Sequence, residues 1–162
     1  YVANFIGSIL VTWMIWKIGL FASGADMFGA ITVKVAVGKV NMTFVNCLLS
    51  GIMCNWLVSL AVWMATGADS TIGKIFAIFF PIWMFVTCGF EHCIANMYAI
   101  PAGIFAAANP AFVELSGVTA EALSNLTWAG MAINNLVPAT IGNIIGGGFF
   151  VATMYWLGLK KS

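Results

Sequence analysis

Two adjacent ionisable side chains, Glu91 and His92, stand in the middle of a long apolar run, and His92 is the one histidine in the chain. Between Ile75 and Val113 no other side chain carries a formal charge. An imidazole changes charge near neutral pH, so it can donate a proton or attract an anion. A carboxylate and an imidazole at bilayer depth are costly unless paired or wetted, so such a pair marks an ion or proton path by default. The competing reading for His92 is a neutral ring that ties helices together through hydrogen bonds. Neighbours on a regular helix diverge by about 100°. Glu91 is therefore expected to orient something other than His92 unless the helix is broken there. Phe85 lies two helical turns before His92 and would share its face on a continuous helix, or would simply pack.

Further candidates are fewer and plainer. Lys39 is either an anion-attracting charge at an entrance or a lysine snorkelling to an interface. Asn55, Asn96, Asn134, Asn135 and Asn143 are amides in apolar surroundings, where interhelical hydrogen bonding is the ordinary role. Cys47, Cys54, Cys88 and Cys93 lie in apolar runs without a C-x-x-C spacing and read as small buried hydrophobes. A single histidine argues against a bis-histidine haem or a two-histidine metal site, so no cofactor or metal is expected. Asn109-Pro110-Ala111 invites an aquaporin reading, yet the chain has no arginine to form a cation-repelling constriction. Neither G-x-S-x-G nor H-E-x-x-H occurs, so no catalytic residue and no enzyme is expected.

The elements that must position these residues are membrane helices. The chain is 62% apolar and 7% charged, with mean hydropathy +1.04, against about 25% charge in an average soluble domain. A net charge of +1 leaves no basic face for nucleic acid. A straight crossing needs about 20 apolar residues. Four segments qualify, at about 1–23, 44–66, 75–108 and 130–158. The third would reach about 50 Å as one straight helix, against a core of about 30 Å. It also contains Pro81, Gly89, Pro101 and Gly103, so a broken helix is expected, with Glu91 and His92 near its midpoint.

Lysine bias places the Lys160-Lys161 tail in the cytoplasm and the loop with Glu114 and Glu121 outside. That assignment puts residues 24–43 outside despite Lys34 and Lys39. A connection folded back on the protein, its lysines lining an entrance, resolves the conflict. Ala3-Asn4-Phe5-Ile6-Gly7-Ser8 matches Gly142-Asn143-Ile144-Ile145-Gly146-Gly147 as small-Asn-x-x-Gly-small, a spacing that lets backbones approach closely. With an odd number of spans per repeat, the match points to an inverted repeat. The chain opens at Tyr1 within a hydrophobic span and reads as a fragment holding the last four of six spans. The fold class expected is an all-α integral membrane domain with broken helices, multi-pass in the cell membrane.

Cys54 to Val58 (CNWLV), Phe90 to Met97 (FEHCIANM) and Asn135 to Gly147 (NLVPATIGNIIGG) resemble the formate–nitrite transporter family, most closely its hydrosulfide channel branch. The resemblance implies an aquaporin-like pore in each protomer of a homopentamer. It implies a small inorganic or one-carbon anion as substrate: formate, nitrite or hydrosulfide. It places His92 on the family's central pore histidine, Glu91 on the neighbouring acid and Lys39 on a vestibule lysine. Asn55 and Asn96 fall on vestibule asparagines, Asn143 on the glycine–asparagine motif of the last helix, and Phe85 on a hydrophobic constriction. Ala3 stands where the family usually has glycine. The expected function is a channel or proton-linked transporter for small monovalent anions. The alternatives are a water or glycerol pore, or a structural membrane subunit in which Glu91 and His92 cement an interface.

Overall fold

Apolar side chains without strand-like alternation make helices, and helices are the only regular elements among the described residues. The structure is a computed structural model that describes residues 1–160. Lys161, half of the basic tail used for orientation, lies outside them. In chain order the helices are α1 (Val2–Lys17), α2 (Met27–Val40), α3 (Phe44–Thr66), α4 (Thr71–Thr87), α5 (Cys93–Ala106), α6 (Pro110–Ser116), α7 (Ala120–Ser124) and α8 (Trp128–Leu159). A short 3-10 turn, Leu20–Ala22, follows α1. Within α8, Met131–Leu136 and Ile145–Thr153 are wound as π-helix.

By length and composition α3 and α8 can cross a membrane, and α5 with α6 forms a third candidate bent by 114°. At 16 and 17 residues, α1 and α4 are apolar but short for a straight crossing. The four-segment reading also missed a helix: residues expected to form a connection fold into α2.

The residues group into two compact units. The first comprises Tyr1–Phe44 and Ile94–Val137. Its core joins Val33, Val37 and Val40 of α2 with Met97 and Ile100 of α5 and Phe112 of α6. The α5–α6 bend is set by Asn109. Its Oδ1 accepts a hydrogen bond from Ala111 N at 3.0 Å, and Pro110 takes the first helical position, where its missing N–H costs nothing. The Asn-Pro-Ala tripeptide is thus a helix cap. In this unit Asn4, the asparagine of the first repeat copy, is exposed on α1.

The second unit comprises Val45–Cys93 and Pro138–Ser162. Here α3 and the later part of α8 approach backbone to backbone. A Cβ at Gly142 would collide with Leu48 O, and one at Gly146 with Ile52 O. Larger residues would force the helices apart, as the small-residue spacing requires. Trp56 stacks on Phe150 at 4.7 Å and Trp63 meets Tyr155 at 4.9 Å farther along the same contact.

Of the four helix-breaking residues in 75–108, only Gly89 sits at a break. Pro81 lies inside α4 and Pro101 inside α5. Gly89 adopts φ +67°, a left-handed conformation that costs glycine little. Gly89 N bonds Val86 O at 3.1 Å and Phe90 N bonds Phe85 O at 3.0 Å. This paired closure satisfies two carbonyls of the last turn and terminates α4.

Candidate functional site

Five residues, Cys88 to His92, separate α4 from α5. Backbone outside a helix must find hydrogen-bond partners when water is scarce. In the second unit those partners come from α3 and α8. Glu91 N donates to Ser50 Oγ at 3.0 Å. Asn143 Oδ1 accepts from Cys93 N at 3.0 Å, while its Nδ2 donates to Glu91 O and to Gly51 O, both at 2.9 Å. One side-chain amide therefore grips the chain on both sides of His92. Asn55 Nδ2 in turn donates to Asn143 O at 2.7 Å, tying the gripping residue's own backbone to α3.

Glu91 is buried, at 2% exposure, whereas His92 is half-buried. The Phe85 and His92 rings are 5.8 Å apart. They meet because the Gly89 turn folds the chain back, and not because they share a face of one continuous helix. Phe85 belongs to the last turn of α4, and His92 immediately precedes α5. His92, Glu91, Phe85, Asn55 and Asn143 thus belong to one local constellation. Ser50 joins them and was not singled out in the sequence. The only signal it gives is a hydroxyl beside a glycine within an apolar run.

Lys39 and Asn96 belong to the first unit. Lys39 is half-buried in the last turn of α2. Asn96, on α5, is buried, and its Nδ2 donates to Asn135 Oδ1 at 2.7 Å. Asn135 Nδ2 donates to Lys39 O at 3.1 Å. Among the described residues no group of three or more His, Cys, Asp or Glu side chains is arranged to hold a metal.

Comparison with known proteins places this geometry. The family model described as "Formate/nitrite transporter" matches residues 1–157. The chain is 40% identical to "Formate channel FocA" of Escherichia coli (strain K12), over 97% of this chain and 56% of that protein. It is 41% identical to "Uncharacterized transporter YrhG" of Bacillus subtilis (strain 168), over 99% of this chain and 53% of that protein. A solved structure described as "Pentameric formate channel with formate bound" superposes with TM-score 0.87 at 37% identity, covering 97% of this chain and 62% of the other. The chain spans about half the length of the curated relatives it matches. None of these printed names describes an enzyme. From Tyr1 almost to the end of its last helix, with the broken segment and its clasp included, the chain belongs to the formate/nitrite transporter family.

Proposed function

We propose that this chain forms part of a channel or proton-linked transporter for small monovalent anions. Formate is the first candidate, because relatives bear that name. Nitrite and hydrosulfide, small anions of weak acids, follow from the resemblance to the family, the latter from its hydrosulfide branch. The observation that carries the reading is the clasp of Asn143 on both sides of His92, which fixes the imidazole beside Phe85. A bare anion pays a large desolvation cost in an apolar constriction. A hydrogen bond or a proton from His92 lowers that cost by stabilising the anion or converting it to a neutral acid. The amino end of α5, which begins one residue after His92, adds a field that favours negative charge.

Lys39 is assigned the task of concentrating anions at a mouth, Asn55 and Asn96 that of vestibule amides, and Glu91 that of a neighbouring acid. The full protein is taken to be a six-span homopentamer with inverted repeats. The Asn4 to Gly7 stretch would serve the first repeat as Asn143 to Gly146 serves the second. The C-terminus is placed in the cytoplasm.

The test is uptake of formate, hydrosulfide, nitrite and chloride, with water as control, into liposomes holding the full-length protein across pH. Weak-acid anion uptake that rises with acidity, and a flattened pH profile in His92→Ala, are the expected results. An unchanged profile in that variant removes His92 as the proton partner. Water flux without anion flux revives the aquaporin-type reading, and no flux leaves Glu91 and His92 as structural cement.

A further inference from the structure

The carboxyl end of α2 is surrounded by asparagines. A helix leaves its last four carbonyls without intrahelical partners, and these carry the negative end of the helix dipole. At α2, Val37 O accepts from Asn41 N at 3.2 Å and from Asn41 Nδ2 at 2.8 Å. Lys39 O accepts from Asn135 Nδ2, and Val40 O accepts from Asn134 Nδ2 at 3.3 Å. Two further amides hold the cap in place. Asn96 Nδ2, donating to Asn135 Oδ1, fixes which end of the Asn135 amide faces α2. Asn125 Nδ2 donates to Asn41 Oδ1 at 2.7 Å, and Asn41 Nδ2 also reaches Ala122 O at 2.9 Å.

Asn96 and Asn135 are fully buried, at 1% and 0% exposure. Replacing both members of a buried hydrogen-bonded pair with apolar residues of similar shape is often nearly neutral for stability. Stability alone therefore gives weak reason for two amides there. What Asn135 does supply is a donor aimed at the carbonyl of Lys39 itself, with its amide oriented by Asn96. A lysine in the last turn of a helix otherwise bonds those carbonyls itself and settles against the negative end of the dipole.

We propose that Asn135, seconded by Asn134 and oriented by Asn96, is a positioning residue for Lys39. By donating to Lys39 O and Val40 O, the amides meet part of the negative helix end that would otherwise draw the lysine ammonium, and hold its backbone in place. The inference rests on the reading of Lys39 as an anion-attracting charge.

The experiment measures formate uptake against concentration in liposomes of the full-length protein, comparing wild type, Asn135→Leu, Lys39→Met and the double variant. Asn135→Leu is expected to raise the half-saturating concentration about two- to fivefold, the factor expected of a helix-end charge effect, with maximal uptake kept. In the Lys39→Met background the same change is expected to have no effect. A merely structural role would lower maximal uptake, and by the same factor in both backgrounds; either result overturns the proposal. If Asn135→Leu does not assemble, the milder Asn134→Leu carries the test, since Asn134 donates to the neighbouring Val40 O.

A second readout separates this proposal from the reading it rests on. The rate at which an anionic thiol reagent modifies Lys39→Cys, above the level of the parent, should change at least twofold when Asn135→Leu is added. If Lys39→Met leaves uptake unaltered, the anion-attracting role of Lys39 falls, while the labelling rate still reports whether Asn135 positions residue 39. An unaltered labelling rate overturns the positioning.

Discussion

Asn143 makes three side-chain hydrogen bonds to backbone, and each serves a group that no helix satisfies or that a helix close by presents. Losing a buried partner costs about 1–3 kcal/mol per stranded group, without strict additivity. Asn143→Leu, close in volume, strands Cys93 N–H and removes a donor from Glu91 O and Gly51 O. We expect it to lower the melting temperature of the detergent-solubilised protein and to abolish formate uptake even where protein still assembles. Asn143→Asp keeps an acceptor for Cys93 N but donates nothing when ionised, and should fall between the two. Equal uptake in wild type and Asn143→Leu would separate the clasp from transport. The small-Asn-x-x-Gly-small match sets Asn143 apart from other amides in apolar runs such as Asn134, yet it names none of the groups the side chain holds. Which backbone it grips becomes visible once Gly89 has broken the helix and turned Glu91 and Cys93 towards α8. His92 and Glu91 are legible earlier because charge is rare here; Ser50 is not, because hydroxyls in apolar helices are common and usually bond their own turn.

The break between α4 and α5 depends on one residue adopting a left-handed φ. Gly89→Ala should cost about 1 kcal/mol, and a β-branched residue such as Gly89→Val more, because Cβ crowds the following carbonyl in that conformation. Nothing lies within 4 Å of where the added Cβ would sit, so the penalty is backbone strain without a clash. The expected pattern is a graded loss of thermal stability, with Gly89→Asn milder than Gly89→Val since asparagine tolerates the left-handed region. Equal melting temperatures for glycine and valine would mean that the turn relaxes.

Gly146→Leu on α8 acts oppositely: its φ is helical, and its Cβ meets the carbonyl of Ile52 on α3. Overpacking of about 1–3 kcal/mol or more follows. Element type was readable from apolar run length, and α3 occupies the stretch read as the second apolar segment. In contrast, α2 was hidden. Its buried side chains are glycine, alanine and valine, small residues whose pattern gives almost no amphipathic signal, and its two lysines argue for a connection. Only packing on α5 and α6 explains why such a sequence is a helix.

Charge at the scale of the whole chain is nearly balanced, with six lysines, five acidic residues and one histidine giving a net +1. So balanced a stretch produces little long-range field of its own, and any attraction it exerts on an anion would come from a few local groups. Two of the lysines sit against aromatic rings. Lys17 Nζ lies 4.6 Å from the Trp16 ring and Lys160 Nζ 4.9 Å from the Trp156 ring, an arrangement suited to membrane interfaces. Among the described residues the other lysines are Lys34 and Lys39 on α2 and Lys74 in the first turns of α4. If Lys39 supplies the attraction, uptake at low formate concentration should depend on ionic strength through that residue. Raising salt from about 0.01 M to about 1 M shortens the screening length from about 30 Å to about 3 Å. With an impermeant salt, wild-type uptake is expected to fall across that range. Lys34→Met and Lys74→Met should keep the dependence, and Lys39→Met should lose it while starting from a lower uptake. Salt dependence that survives Lys39→Met would place the attracting field on another group and leave α2 with a purely architectural part in transport.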